Sequence, residues 1–89
     1  MTDNDDKSLA EAARIDPQVF ATLYDRYVDR IYAYALRQVG EVSQAQDVTS
    51  ATFEKALRNL RHQGWRGDSF LAWLYQIARY RPGETGRYL

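Results

Sequence analysis

"PQVFATLYDRYVDRIYAYALRQVG", residues 17–40, is the stretch that decides the fold. Phe20, Leu23, Tyr24, Tyr27, Ile31, Tyr34 and Ala35 recur at steps of three and four, the period of an α-helix with one apolar face. Asp16 can accept the free N–H groups of a first turn, Pro17 suits the first helical position, and Gly40 is a natural stop. Charges along the stretch contribute little. Asp25–Asp29 and Arg26–Arg30 are like-charge pairs one turn apart, and Arg26–Asp29 is the one opposite-charge pair that partly offsets them. Burial of the stripe must therefore hold this helix, and the rest of the chain must supply what buries it.

Downstream, a second long helix opens at Ser43, with Gln46 completing a capping box. Its apolar stripe is Ala45, Val48, Thr49, Thr52, Phe53, Ala56, Leu57 and Leu60. The opposite face carries Asp47, Ser50, Ala51, Glu54 and Arg58 as one continuous exposed strip. A loop over residues 61–67 follows, broken by Gly64 and Gly67. The next helix begins at Asp68 or Ser69 and presents Phe70, Leu71, Leu74, Ile77 and Ala78 to the core, with Pro82 as its stop. Upstream, Ser8 and Glu11 have capping-box spacing, and Leu9, Ala12 and Ala13 make a narrow stripe. No strand-like alternation of useful length appears. The expected fold is all-α, a compact bundle of three main helices plus a short N-terminal helix. Residues 1–7 read as a flexible acidic tail, 8–81 as the helical domain and 82–89 as a flexible C-terminal tail.

Composition narrows the function. The 89 residues allow one domain, with a stability of about 4–13 kcal/mol at the usual per-residue value. The chain has no cysteine, which excludes disulfides, thiolate metal sites and cysteine nucleophiles. His62 is the only histidine, so one chain cannot assemble a multi-histidine zinc site. No apolar run is long enough to span a bilayer, and "MTDNDDKS" is wrong for a signal peptide, so a soluble cytoplasmic protein is expected. Net charge is zero but uneven. Residues 1–57 hold ten acids against six bases, whereas residues 58–89 hold six arginines against two acids. That asymmetry suits either a nucleic-acid face or a solvated arginine surface.

Catalytic constellations are weak. Asp25 with Asp29, or Asp47 with Glu54, reads as exposed helical acids, and "GWRG" is too short for a phosphate loop. No enzyme, cofactor or metal is expected. "RGD" at Arg66–Asp68 is better explained by Asp68 as a helix N-cap. Tyr24, Tyr27 and Tyr34 read as core with wet hydroxyl ends. Arg61, His62, Trp65 and Arg66 are more suggestive, a basic-aromatic cluster beside a helix N-terminus. Phosphates favour such cations and free N–H groups, and an aromatic ring can hold an unstacked base. Two readings of the loop stay open: base capture by Trp65, or an indole folded back as a plug with arginines in water.

"FATLYDRYVDRIYAYALRQVG" (20–40), "AQDVTSATFEKALRNL" (45–60) and "GDSFLAWLYQIAR" (67–79) resemble, in order, regions 1.2–2.1, 2.2 and 2.3 of sigma-70 family factors of the extracytoplasmic-function type. The resemblance covers residues 17–79. It implies a region 2 domain with two surfaces, one for the clamp helices of the RNA polymerase β′ subunit and one for the single-stranded promoter −10 element. The family's core-binding motif commonly reads Asp-Leu-Val-Gln-Glu-Thr-Phe and stands here as Asp47-Val48-Thr49-Ser50-Ala51-Thr52-Phe53. Polymerase contact is thus expected at Asp47, Ser50, Ala51, Glu54 and Arg58. The pattern Phe-x-x-Trp-Leu-x-x-Ile-Ala-Arg-Asn appears as Phe70, Trp73, Leu74, Ile77, Ala78 and Arg79, with Tyr80 where asparagine is usual. DNA contact is expected from Arg61, His62, Trp65, Arg66, Asp68, Ser69, Arg79 and Tyr80, and packing from Trp73. The alternative is a protein-interaction module that binds polymerase or an anti-sigma-like partner without productive DNA contact. Zero net charge predicts weak DNA binding without polymerase, with a shallow salt dependence.

Overall fold

The computed structural model describes residues 2–67 and 69–79, the side chains of residues 2–5 excepted. Four helices follow one another: α1 (Thr2–Ala13), α2 (Pro17–Val39), α3 (Val42–Gln63) and α4 (Phe70–Ala78). The all-α expectation holds, with α4 the shortest element. At the head of α2 the Asp16 carboxylate accepts from the Gln18 N–H at 3.0 Å. At its end Gly40 adopts φ 73°, and its N–H donates to the Leu36 carbonyl at 2.8 Å. That left-handed residue turns the chain and starts an antiparallel α2–α3 hairpin.

Three boundaries differ from the sequence expectation. α3 is capped by Glu41, not Ser43. Glu41 is the extended residue after the turn, and its carboxylate accepts from the N–H groups of Ser43 at 3.0 Å and Gln44 at 2.8 Å. α3 also runs on to Gln63, so Arg61 and His62 are helical and the loop begins only at Gly64. α1 starts at Thr2, well before Ser8. The cause lies in Asp6, which is buried and accepts from Arg26 at 2.8 Å and from the Tyr27 hydroxyl. This anchor ties the upstream turn of α1 to α2. It also corrects two other expectations: Arg26 pairs with Asp6 rather than Asp29, and the Tyr27 hydroxyl is not wet. α4 is capped by Ser69, whose hydroxyl accepts from the Ala72 N–H at 3.1 Å. The sequence expectation for that cap is Asp68; Asp68, Pro82, the expected stop, and the 82–89 tail lie outside the described residues. α4 ends at Ala78, where Arg79 turns extended.

The main core joins all four helices through Ala10, Ala13, Leu23, Tyr27, Ile31, Phe53, Ala56, Leu60, Phe70, Leu74 and Ala78. A second cluster of Ala35, Ala45 and Val48 closes the hairpin end. Small side chains there let the two backbones approach closely. Thr49 and Thr52 are buried in the α2–α3 seam, and each hydroxyl donates back to its own helix at 2.7 Å, to Ala45 and Val48 respectively. Neither hydroxyl is thereby left bare. Tyr24 alone of the α2 stripe stays exposed, its ring edge-on to Phe53 at 4.7 Å.

Phe70, the first residue of α4, is fully buried and touches Tyr27, Trp65 and Trp73 at ring separations of 6.0, 5.4 and 5.3 Å. A helix of nine residues is not stable alone, so this anchorage holds α4 in place. Phe70→Ala should cost about 3–5 kcal/mol, the range for a buried aromatic. Urea unfolding should detect this as a loss of much of the total stability. Burial, aided by the bond to Asp6 and its charge, pushes the Tyr27 phenol up from 10 to about 12, although Arg26 acts the other way. The folded state holds this proton more tightly than the unfolded chain. Its contribution is complete below pH 10 and is lost as pH rises from about 10 to about 12. Tyr27→Phe should lose less stability than wild type between pH 9 and 11.5 when both are unfolded in urea.

Candidate functional site

Helix α3 presents its exposed face from end to end. Asp47, Ser50, Glu54 and Arg58 are exposed, and Ala51 is half-buried between them. At the hairpin end, Ser50 joins Gln46 and Thr49 of α3 and Tyr24, Val28, Asp29 and Tyr32 of α2 around an open groove of about 360 Å³. At the other end, Glu54, Leu57 and Arg58 share a depression of about 390 Å³ with Arg61 and His62. The strip assigned to polymerase and the first two residues assigned to DNA are therefore neighbours on one helix face. Helical periodicity carries the expected strip onward because α3 extends to Gln63.

Beyond α3 the chain makes a tight passage. Gly64 takes φ 74° and ψ −178°, a region essentially confined to glycine that costs other residues about 1–3 kcal/mol. Trp65 then folds back. Its indole is half-buried and stands edge-on to Phe70, the planes at 88°. Of the two readings of the loop, the packed indole is the one observed, though the ring is not sealed. Gly67 lies against it, and a Cβ there would come within 3.1 Å of the Trp65 Nε1. Arg66 points the other way, exposed, and lines a depression of about 400 Å³ with Gln63, Gly64 and Trp73.

The expected cluster of Arg61, His62, Trp65 and Arg66 is thus divided. Arg61 and His62 belong to the α3 depression, Arg66 to the loop depression, and Trp65 to the core edge. Ser69 caps α4, and Arg79 is exposed just past its end. Asp68 and Tyr80 lie outside the described residues. Sequence reasoning missed Gln63 and the second role of Trp73. Trp73 packs against Phe70 and also forms a wall of the loop depression. Its place on the edge of the apolar stripe was the available signal, because an edge position touches both core and solvent. Among the described residues, Arg58, Arg61, His62, Arg66 and Arg79 have no carboxylate partner. The ion pairs there are Arg26–Asp6 and Arg14–Glu11. An unpaired guanidinium beside an aromatic wall, as Arg66 stands beside Trp73, can bind a phosphate while the ring stacks a base.

Comparison with known proteins gives this helical domain a family. The Sigma-70 region 2 family model matches residues 23–81. The chain is 43% identical over 70 residues to the ECF RNA polymerase sigma factor BldN of Streptomyces coelicolor, covering 79% of this chain and 26% of that protein. It is 39% identical over 80 residues to the RNA polymerase sigma-H factor of Pseudomonas aeruginosa, covering 88% and 40%. It is 32% identical over 72 residues to the ECF RNA polymerase sigma factor SigW of Bacillus subtilis, covering 81% and 38%. No solved structure matches significantly. The chain belongs to the sigma-70 family, as a region 2 of the extracytoplasmic-function type. It spans between a quarter and two fifths of the length of these relatives. Among the described residues, no helix is long and apolar enough to cross a membrane.

Gly67→Ala should push the Trp65 indole off Phe70 by a few tenths of an ångström. Tryptophan fluorescence and near-ultraviolet circular dichroism should change while the far-ultraviolet helix signal stays.

Proposed function

We propose that this chain acts in transcription initiation as the region of a sigma factor that binds the RNA polymerase core and holds the promoter −10 element open as single-stranded DNA. The observation that carries this reading is the loop depression, where Arg66 and Trp73 face a hollow beside Gly64 with no carboxylate on Arg66 among the described residues. A base leaving the duplex stack gains a ring wall, and its phosphates gain cations. No covalent step is needed. Opening is driven by capture of the unstacked strand.

Arg61, His62, Arg66 and Arg79 act on the DNA backbone in this reading, with Asp68, Ser69 and Tyr80 flanking the captured strand. Trp65 serves chiefly by bracing Phe70, and so the loop, rather than by direct stacking. The exposed strip of Asp47, Ser50, Ala51, Glu54 and Arg58 meets the β′ clamp helices. A cytoplasmic location follows from these partners.

Arg66→Ala should weaken binding of a −10 single-stranded oligonucleotide several-fold, and Trp65→Ala should do so too with a loss of stability that Arg66→Ala lacks. Asp47→Ala should weaken polymerase core binding and leave oligonucleotide binding unchanged. Unaltered oligonucleotide affinity in both loop variants would leave a protein-interaction module, and unaltered core binding in Asp47→Ala would remove the strip. Fluorescence anisotropy measures both.

A further inference from the structure

The turn between α1 and α2 brings a cation to the loop that no sequence motif marks. Ala13, the last residue of α1, is buried in the main core. The next three residues are tied back by N–H bonds, Arg14 to the Glu11 carbonyl at 3.3 Å and Ile15 and Asp16 to the Ala12 carbonyl at 3.2 and 3.0 Å. The backbone of Arg14 is thus held, and its side chain crosses to α3. There the guanidinium lies on Gly64. A Cβ on that glycine would stand 3.4 Å from one terminal nitrogen, 3.6 Å from the central carbon and 3.8 Å from Nε. One edge of the guanidinium is therefore within van der Waals range of the open side of a residue that also lines the loop depression.

Arg14 is poorly paired. Its one described partner is Glu11 at 3.4 Å, a carboxylate that is 75% exposed. Such a contact contributes little and yields easily. A guanidinium has five donors, so most of those on Arg14 have no partner among the described residues. The arginine itself is 35% exposed, so it is positioned yet accessible. Arg14 thus lies against Gly64, and Gly64 and Arg66 both line the hollow.

We infer that Arg14 is a phosphate-binding residue of the single-strand site, supplied by the α1–α2 turn. The inference rests on the proposed DNA role of the loop. A planar guanidinium takes a phosphate through two parallel bonds. Phosphate contacts carry no sequence information, so Arg14 should add affinity without changing base preference.

The test titrates the full chain with fluorescein-labelled single-stranded oligonucleotides, a −10 sequence and a scrambled one, from low to moderate salt. Arg14→Gln should weaken both about equally, by several-fold at low salt. The slope of log affinity on log salt should fall by about 0.7, the value for one phosphate on a single strand. Arg14→Lys should keep most of the slope, and thermal melting should show both variants folded. An unchanged slope in Arg14→Gln, while Arg66→Ala lowers it, overturns the inference and leaves the loop reading intact. No binding by wild type at any salt overturns the loop reading itself. Loss of polymerase core affinity in Arg14→Gln with unchanged oligonucleotide binding assigns the residue to a protein contact and also overturns the inference.

Discussion

The buried ring of Phe70 is the contact on which the rest of the structure depends. It is the first residue of α4, and it meets α2 through Tyr27, the loop through Trp65 and its own helix through Trp73. A nine-residue helix has too few internal hydrogen bonds to pay for its nucleation. Leu74 and Ala78 add burial one and two turns later, but the ring at the helix start sets where α4 begins. The same ring pins the indole of Trp65. Without it the chain after Gly64 would have no fixed path, and the hollow between Arg66 and Trp73 would have no walls.

Charge is arranged by the same packing. Three acids of the N-terminal half find structural work at the helix ends and the α1 anchor: Asp6 on Arg26 and Tyr27, Asp16 on α2, Glu41 on α3. The described arginines of the C-terminal half, Arg58, Arg61, Arg66 and Arg79, are exposed and without carboxylate partners among the described residues. A formally neutral chain therefore presents a locally cationic end. That end suits a partner that is anionic and is brought close by a larger assembly, because long-range attraction from a neutral protein is weak.

Periodicity made the helices legible. The α2 stripe predicted Leu23, Tyr27, Ile31 and Ala35 as core, and the α3 stripe predicted Ala45, Val48, Thr49, Thr52, Phe53, Ala56 and Leu60. The cap at Asp16 and the stop at Gly40 were equally readable, because each is a short-range bond. The site was less so. Trp65 and Arg66 are adjacent in the chain, yet one turns to the core and the other to solvent. Trp73 and Arg66, seven residues apart, share a hollow. The loop follows no period, so composition could say that cations and rings were gathered there but not which of them met.

What the amino-acid order determined by itself was the number, place and inner face of the helices, because a buried stripe is a local pattern repeated. What only tertiary structure decided was which distant residues touch. Asp6 looked like part of an acidic tail until α2 offered it an arginine and a phenol, and no motif marked Arg14 until Gly64 came beneath it. Contacts of that kind depend on where two helices lie relative to each other. That relation is set by the whole core at once and is written in no single segment.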